Sequence, residues 1–357
     1  MAKIGVLLAL GFAAFGFAQT TLDSPLLDSA ASDDKTLVLR GGSWFLDETL
    51  ILDEQFSGLS IIAAPGAKPV ISGGVPITNW KRGTDGVWSA QTTLATVRQL
   101  YAGLQRLPRA RTPNTGWLRA DQLSTLNEDI DRDNDNRPLI NEWRNTRPYL
   151  FAGMRFREAD ADILRRISVG ATVQTISAWE SAWQPLRSID MATRDMQLFT
   201  PSRYPLVHWD YGVNEGGGTP YAIENSPAGL DQPGEWYFDA TSKRIHMLSE
   251  DKPRDIIAAQ LHTIMRVDGA KALSFRGITF AHSLDTLARN DSHRDWPAAM
   301  RAFDPTFPED IPEGITVAQS APDTGDAIVL TNASNLIFEN CEVRNTGGWG
   351  MWIGDNT

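Results

Sequence analysis

The chain has 357 residues, of which 42% are hydrophobic and 22% are charged, and this predicts a sizeable core and more than one structural unit. The formal net charge of −11 disfavours nucleic acid, an anionic membrane surface and a strongly acidic polysaccharide as partners. The single cysteine, Cys341, excludes an intramolecular disulfide and is expected to be a buried small hydrophobe.

Residues 1–18 are typical of an export signal. Lys3 precedes an apolar run from Ile4 to Phe17, and small residues at 16 and 18 fit a cleavage site before Gln19. The run is too short to span a bilayer comfortably, although a buried first strand or a short anchor is the alternative. Removing the signal leaves 32 basic against 44 acidic residues, because Lys3 is its only charged side chain. We therefore expect a secreted or periplasmic protein that is not bound to a membrane.

Short apolar strands separated by glycine- and proline-rich turns follow the signal, and residues 19–78 are expected to form the first coils of a solenoid. The predicted strands are Thr36–Arg40, Thr49–Leu52, Leu59–Ile62 and Pro69–Ser72.

The period disappears between Val75 and Ala259, and residues 79–261 are predicted to be an inserted, β-rich, sandwich-like domain. Within it, 234–239 and 244–248 are expected to form a β-hairpin around a turn. Further predicted strands or hairpins are Leu100–Arg111, Thr172–Trp179 and Ser188–Leu198.

An internal repeat sets the fold prediction. Residues 265–283 and 328–346 align without gaps, and their apolar positions coincide. The matched pairs are Met265 with Ile328, Val267 with Leu330, Leu273 with Leu336, Phe275 with Phe338, Ile278 with Cys341, and Phe280 with Val343.

The pattern restarts at Met351, 23 residues after Ile328, which is about one turn of a parallel β-helix. Residues 262–357 are therefore expected to resume the helix. The predicted fold is all-β: a right-handed parallel β-helix with an inserted β-sandwich-like domain, truncated at its C-terminal end because Thr357 falls partway through a coil.

Eight stretches of the sequence carry a family resemblance: 40–45, 63–67, 69–74, 98–101, 106–113, 234–239, 275–282 and 345–354. They resemble bacterial right-handed parallel β-helix glycoside hydrolases, a group with a pectin-lyase-like fold that includes family 141 fucosidases and xylanases and family 120 xylosidases. The resemblance covers nearly all of the chain after the signal and implies a carbohydrate-active protein. In those enzymes the catalytic carboxylates lie on later coils, so the resemblance assigns no catalytic residue here.

Glycoside hydrolysis needs two carboxylates on either side of one bond. The 23-residue offset places Asp326 and Trp349 at one position of successive coils, which makes Asp326 the candidate catalytic carboxylate. Trp352 aligns with outward positions of the same strand and is a candidate stacking platform. The long insertion at 284–325 is a candidate cleft wall. The predicted substrate-binding residues are Trp349, Trp352, Asp323 and Trp296.

Structural alternatives remain open at each of these positions. Asp326 either takes part in chemistry or satisfies turn amides. Trp352 either meets solvent or packs beneath the inserted domain. Arg106, Arg109 and Arg111 either hold an acidic ligand or pair with acidic neighbours at a domain seam.

The sequence has no paired His or Cys with metal-ligand spacing, no EF-hand series and no phosphate-binding loop, so no metal and no cofactor are expected. The main hypothesis is an exported glycoside hydrolase acting on plant-wall or fucosylated glycans, with a polysaccharide or oligosaccharide as partner. This chain is expected to lack the C-terminal catalytic coils of such an enzyme. One alternative is a non-catalytic glycan-binding or surface-structural protein, such as an adhesin, and another is a polysaccharide lyase. The oligomeric state is not predicted.

Overall fold

The computed structural model describes residues 20–21, 35–123, 152–177, 180–202, 206, 218–285, 292–311, 314–317, 325–354 and 356–357. The predicted export signal lies outside these residues. Among the helices within them, none combines the length and the apolar character that crossing a membrane requires.

Three short parallel sheets are built from strands that are distant in the chain. Sheet 1 contains Thr36–Leu39, Ser60–Ala63, Ser274–Arg276 and Ile337–Glu339. Sheet 2 contains Thr20–Thr21, Gly42–Phe45, Pro69–Ser72, Thr279–Ala281 and Glu342–Arg344. Sheet 3 contains Leu50–Leu52, Met265–Asp268, Asp326–Thr331 and Trp349–Ile353.

The strand register in these sheets confirms the pairings predicted from the internal repeat. Met265 pairs with Ile328 and Phe275 with Phe338. The 23-residue offset is also correct, because Ile328 pairs with Met351. Equivalent apolar residues therefore lie on neighbouring strands, where their side chains stack.

The three parallel sheets enclose one hydrophobic core. Along Met265–Asp268 buried and exposed residues alternate, as expected when one face of a strand meets the core. Each sheet contributes large apolar side chains, including Ile61 and Phe275 from sheet 1, Phe280 from sheet 2 and Ile328 from sheet 3.

Two four-stranded antiparallel sheets form a second region with its own core. One contains Gly74–Pro76, Leu100–Ala102, Gln105–Arg106 and Ile256–Ala259. The other contains Lys81–Arg82, Trp88–Gln91, Trp236–Asp239 and Arg244–Met247. The predicted hairpin is confirmed, because Trp236–Asp239 pairs antiparallel with Arg244–Met247. Trp80, Trp236 and Phe238 are among the large side chains of this core.

A closed ring of six antiparallel strands forms a barrel. In order around the ring the strands are Pro220–Glu224, Leu118–Leu123, Gly153–Phe156, Asp195–Leu198, Glu180–Asp190 and Thr172–Ser177. Thr172–Ser177 pairs back with Pro220–Glu224, which closes the ring. Two further short strands pair with members of the ring: Arg111–Thr112 with Pro220–Glu224, and Ile315–Val317 with Glu180–Asp190.

Helices are short and lie between the strands. Within the described residues, the α-helices are Ala161–Leu164 and Ser292–Phe303, and the 3-10 helices are Glu54–Phe56, Glu158–Asp160 and Pro227–Gly229. Helix Ser292–Phe303 buries Trp296 and Met300 in the barrel core. This helix belongs to the insertion at 284–325, which was predicted from the sequence to be a candidate cleft wall.

The structure corrects the predicted fold. The described residues are all-β, but their parallel strands form separate sheets of short strands, and they do not show a right-handed parallel β-helix. The largest sheet is the antiparallel one that closes into a barrel, where a sandwich-like domain was expected. The repeat fixed which strands are neighbours but not how far the parallel sheets extend. Alternating burial is shared by sandwiches and barrels, so it could not distinguish them.

Candidate functional site

Asp326 and Trp349 lie side by side at the start of two neighbouring strands of sheet 3. They are Cα partners in the parallel register, as the 23-residue offset predicted. Parallel strands lie about 4.8 Å apart, so the two side chains leave adjacent points of the sheet. Trp349 is 55% exposed, whereas Asp326 is only partly accessible. A carboxyl group therefore stands beside an exposed indole.

The carboxyl group of Asp326 is only partly satisfied. Its Oδ1 atom is buried and has no hydrogen-bond partner among the residues that the structure describes. Burial raises the pKa of Asp326 above the ordinary value, and the charge of Arg266 on the next strand opposes this by lowering it. A carboxyl group in such surroundings keeps its proton to a higher pH than a solvated one, which is the property required of a general acid.

Trp352 lies on the outer face of sheet 3. It pairs with Val329, which pairs with Arg266, so the three residues share one position on successive strands. The indole is 42% exposed. A Cβ atom on Gly354 would lie 2.5 Å from the Cη2 atom of Trp352, so the outer edge of the indole lies close to the backbone of Gly354.

Trp349 and Trp352 are three residues apart on one strand. Side chains alternate between the two faces of a strand, so the two indoles leave opposite faces of sheet 3. They provide two separate contact points and do not form one continuous platform.

The other two predicted substrate-binding residues do not join this group. Trp296 has no exposed surface, lies in the barrel core, and donates a hydrogen bond from Nε1 to the Phe199 carbonyl at 3.0 Å. Its ring faces are therefore covered by protein. Asp323 lies outside the described residues.

Arg109 and Arg111 of the arginine cluster contact aromatic, amide and carbonyl groups of the chain, where acidic neighbours or an acidic ligand were predicted. Arg109 lies over the ring of Trp236 and donates to the Asn225 Oδ1 atom at 3.3 Å. Burial lowers the pKa of Arg109 to about 10, while the nearby Glu224 opposes this. Arg111 donates to backbone carbonyls, including that of Gly116 at 2.9 Å. Both guanidinium groups are thus used in contacts within the chain.

A buried hydroxyl–imidazole pair joins sheet 2 to the first antiparallel sheet. The Nε2 atom of His282 lies 3.0 Å from the Gly103 carbonyl, which can only accept, so Nε2 carries the proton. Nδ1 therefore accepts from the Ser72 hydroxyl at 2.9 Å, and Ser72 Oγ accepts from the Gly74 amide at 3.1 Å. Ser72 and His282 both have 0% exposure, so this pair is placed to hold structure and not to reach a substrate.

The sequence analysis did not identify the pairing of Ser72 with His282. The two residues are 210 positions apart, and only their strand pairing brings them together. Among the described residues, no group of three or more His, Cys, Asp and Glu side chains is arranged to hold a metal ion.

Comparison with known proteins gives a likeness of fold. No family model matches the chain, and no curated protein matches it. Among solved structures, a glycoside hydrolase matches with a TM-score of 0.60 and 18% identity, over 92% of this chain and 58% of its own. The chain shares that protein's fold. It spans 58% of the length of the matched hydrolase chain.

Two further solved structures are similar at a lower level. The complex of XylC with xylose matches with a TM-score of 0.25 and 12% identity, over 71% of this chain and 32% of its own. A bacteriophage tailspike in complex with Acinetobacter baumannii capsular saccharide matches with a TM-score of 0.19 and 8% identity, over 93% and 45%. TM-scores this low carry no structural argument. Membership of family 141 or family 120 stays a prediction.

Proposed function

We propose that this protein is a carbohydrate-active protein that binds a polysaccharide or oligosaccharide at sheet 3. The observation that carries the proposal is the pairing of Asp326 with the exposed Trp349 on neighbouring strands. Indole faces stack on the C–H faces of sugar rings, and a carboxyl group provides hydrogen bonds or acid catalysis. The shared fold with a glycoside hydrolase supports this assignment.

The proposed reaction is hydrolysis of a glycosidic bond in plant-wall or fucosylated glycans. Asp326 would protonate the leaving oxygen, because burial raises its pKa and so retains the proton. Trp349 would hold a sugar ring beside that carboxyl group. The second carboxylate of the pair is not assigned. Export to the periplasm or the medium, predicted from residues 1–18, is part of this proposal.

Glycan binding without catalysis is the second candidate function. It is favoured by the exposure of both indoles, because stacking of sugars on Trp349 and Trp352 needs no carboxylate. In this case Asp326 would only shape the start of its strand.

Two measurements on Asp326→Asn distinguish the candidates. Release of reducing sugar from soluble xyloglucan and arabinoxylan reports hydrolysis, and calorimetry on the same polymers reports binding. A hydrolase loses turnover in the variant and keeps its affinity, whereas a binding protein shows no turnover in either form and equal affinity. Failure of the wild-type protein both to bind and to cleave neutral plant-wall and fucosylated glycans would refute the carbohydrate assignment.

A further inference from the structure

Gly354 follows the edge strand of sheet 3 and lies against the outer edge of the Trp352 ring. A Cβ atom at this position would lie 2.5 Å from Cη2 and 2.6 Å from Cζ3 of the indole. Real Cβ atoms do not approach carbon so closely, so any other residue must displace the ring. The backbone of Gly354 is itself fixed, because its amide donates to the Leu330 carbonyl at 2.8 Å.

The indole meets the backbone through its outer edge, because Cη2 and Cζ3 are its atoms nearest to the Cβ position of Gly354. Residues two apart on an extended chain project from the same face, so Trp352 and Gly354 share the outer face of sheet 3. The Cγ2 atom of Thr331 on the neighbouring strand would be 3.2 Å from the same Cβ position, which puts a methyl group beside the ring. Trp352 remains 42% exposed, so part of the indole is accessible to a ligand.

We propose that Gly354 is a positioning residue that holds Trp352 in one orientation as the stacking surface of a subsite for one pyranose ring. This inference rests on the proposed function of sheet 3 in binding carbohydrate. The sugar it fits presents a continuous C–H face with its hydroxyl groups at the ring edge, as equatorially substituted pyranoses do. An indole held in one orientation has already lost its rotamer freedom, so less conformational entropy is lost when the sugar binds.

The effect of a methyl group at 354 should be on binding and not on folding. Gly354 has a negative backbone φ, so alanine fits its conformation, and the atoms it meets belong to the far end of an exposed side chain. The ring can turn outward at little cost. Gly350 on the same strand provides the matched control, since a Cβ there meets Val343 at an ordinary 3.5 Å.

The test is a double-mutant cycle read by calorimetry with soluble xyloglucan and arabinoxylan. Gly354→Ala is expected to weaken binding by about fivefold to tenfold, the scale of one aromatic contact, whereas Gly350→Ala leaves it unchanged. In a Trp352→Ala background, Gly354→Ala should have no further effect. Urea unfolding midpoints of the two glycine variants should match that of the wild type.

A ligand-free measurement checks the positioning directly. In protein labelled with 5-fluorotryptophan, the ¹⁹F signal that disappears in Trp352→Phe should move in Gly354→Ala and stay in place in Gly350→Ala. An unmoved signal, or equal affinity of Gly354→Ala and wild type, overturns the positioning role. If Trp352→Ala itself binds both polymers like the wild type, or if the wild type binds neither, the binding function of this face is overturned as well.

Discussion

His282 and Asn345 occupy equivalent positions on neighbouring strands of sheet 2 and donate to consecutive carbonyl groups. Each follows a paired strand, and both have a left-handed backbone, with φ of 68° and 53°. His282 Nε2 donates to Gly103 at 3.0 Å, and Asn345 Nδ2 donates to Leu104 at 2.8 Å. Two turns of sheet 2 thus hold the tip of one hairpin of the first antiparallel sheet.

This contact predicts a stability that depends on pH. Burial, and secondarily the charge of Arg344, lower the pKa of His282 to about 4, although the bond to Gly103 opposes the shift. The unfolded chain takes up the proton near pH 6.5, before the folded protein does. The contribution of His282 to the free energy of unfolding is therefore fully present above about pH 6.5. It is lost as the pH drops to about 4, which lowers the unfolding free energy by about 3 kcal/mol in total.

His282→Asn should remove this dependence. Asparagine accepts the left-handed conformation, as Asn345 does at the equivalent position, and it does not titrate. Urea unfolding at intervals between pH 4 and pH 7 measures the effect, with the exposed His262→Asn as the control. Equal slopes of unfolding free energy against pH for His282→Asn and wild type would show that this imidazole stays hydrated.

Local sequence patterns predicted the neighbouring parallel strands of this structure. They did not predict the features that depend on pairing between distant parts of the chain. The alternation from Met265 to Asp268 and the 63-residue repeat were enough to place neighbouring parallel strands. The strand Gly42–Phe45 was missed because two adjacent glycines were assigned to a turn. The barrel was missed because closure depends on the pairing of Thr172–Ser177 with Pro220–Glu224, which no local signal encodes.

Asp326→Asn should separate stability from activity. Because the folded-state pKa of Asp326 is raised, stability from its neutral form is present below the unfolded value near 3.8 and is lost as the pH rises through the folded value. At pH 7 the amide should therefore be at least as stable as the carboxylate. For a hydrolase, turnover should fall by about 10²-fold or more.

Unfolding and turnover of Asp326→Asn are compared at pH 7 with those of the exposed control Asp47→Asn. A marked loss of stability in Asp326→Asn alone would show that its carboxylate holds the fold through ionised hydrogen bonds. The buried Oδ1 atom without a partner argues against that outcome.

Trp349→Ala and Trp352→Ala should each weaken glycan binding by about fivefold or more while changing stability little, because both indoles are exposed. Their effects should add, since the side chains leave opposite faces of the strand. Calorimetry with xyloglucan measures the affinity of each single variant and of the double variant. Trp117→Ala is the control, because Trp117 is exposed but lies outside sheet 3, where its ring contacts Arg111. Strong coupling between the two substitutions would contradict the separation of the two contact points.

Gly347→Ala should destabilise the protein, in contrast to Gly354→Ala. A Cβ atom on Gly347 would lie 2.2 Å from backbone atoms of Leu284 and Asp285, and its amide donates to Ser283 Oγ at 2.9 Å. Backbone cannot turn away as an indole can, so we expect a loss of about 1–3 kcal/mol in unfolding free energy. Urea unfolding of both variants, with Gly350→Ala as reference, is the measurement. Equal stability of all three would mean that the Leu284 segment moves freely.

The candidate site shows the same division between local and distant information. The offset placed Asp326 beside Trp349 because both belong to the repeat. It could not place Trp296, whose surroundings are set by a helix packing on a barrel formed by other parts of the chain. An aromatic residue in a long insertion is as consistent with a core anchor as with a sugar contact.

Trp296→Ala should therefore act on folding and not on binding. The substitution creates a cavity at a fully buried position and removes the hydrogen bond to the Phe199 carbonyl. The expected loss of unfolding free energy is about 3–5 kcal/mol. Trp296→Phe keeps most of the volume and should cost less. Under conditions where thermal unfolding shows the phenylalanine variant to be folded, its affinity for xyloglucan should equal that of the wild type. A folded Trp296→Phe with clearly weakened binding would instead place this indole in the carbohydrate site, which would require the helix Ser292–Phe303 to leave the barrel core when the glycan binds.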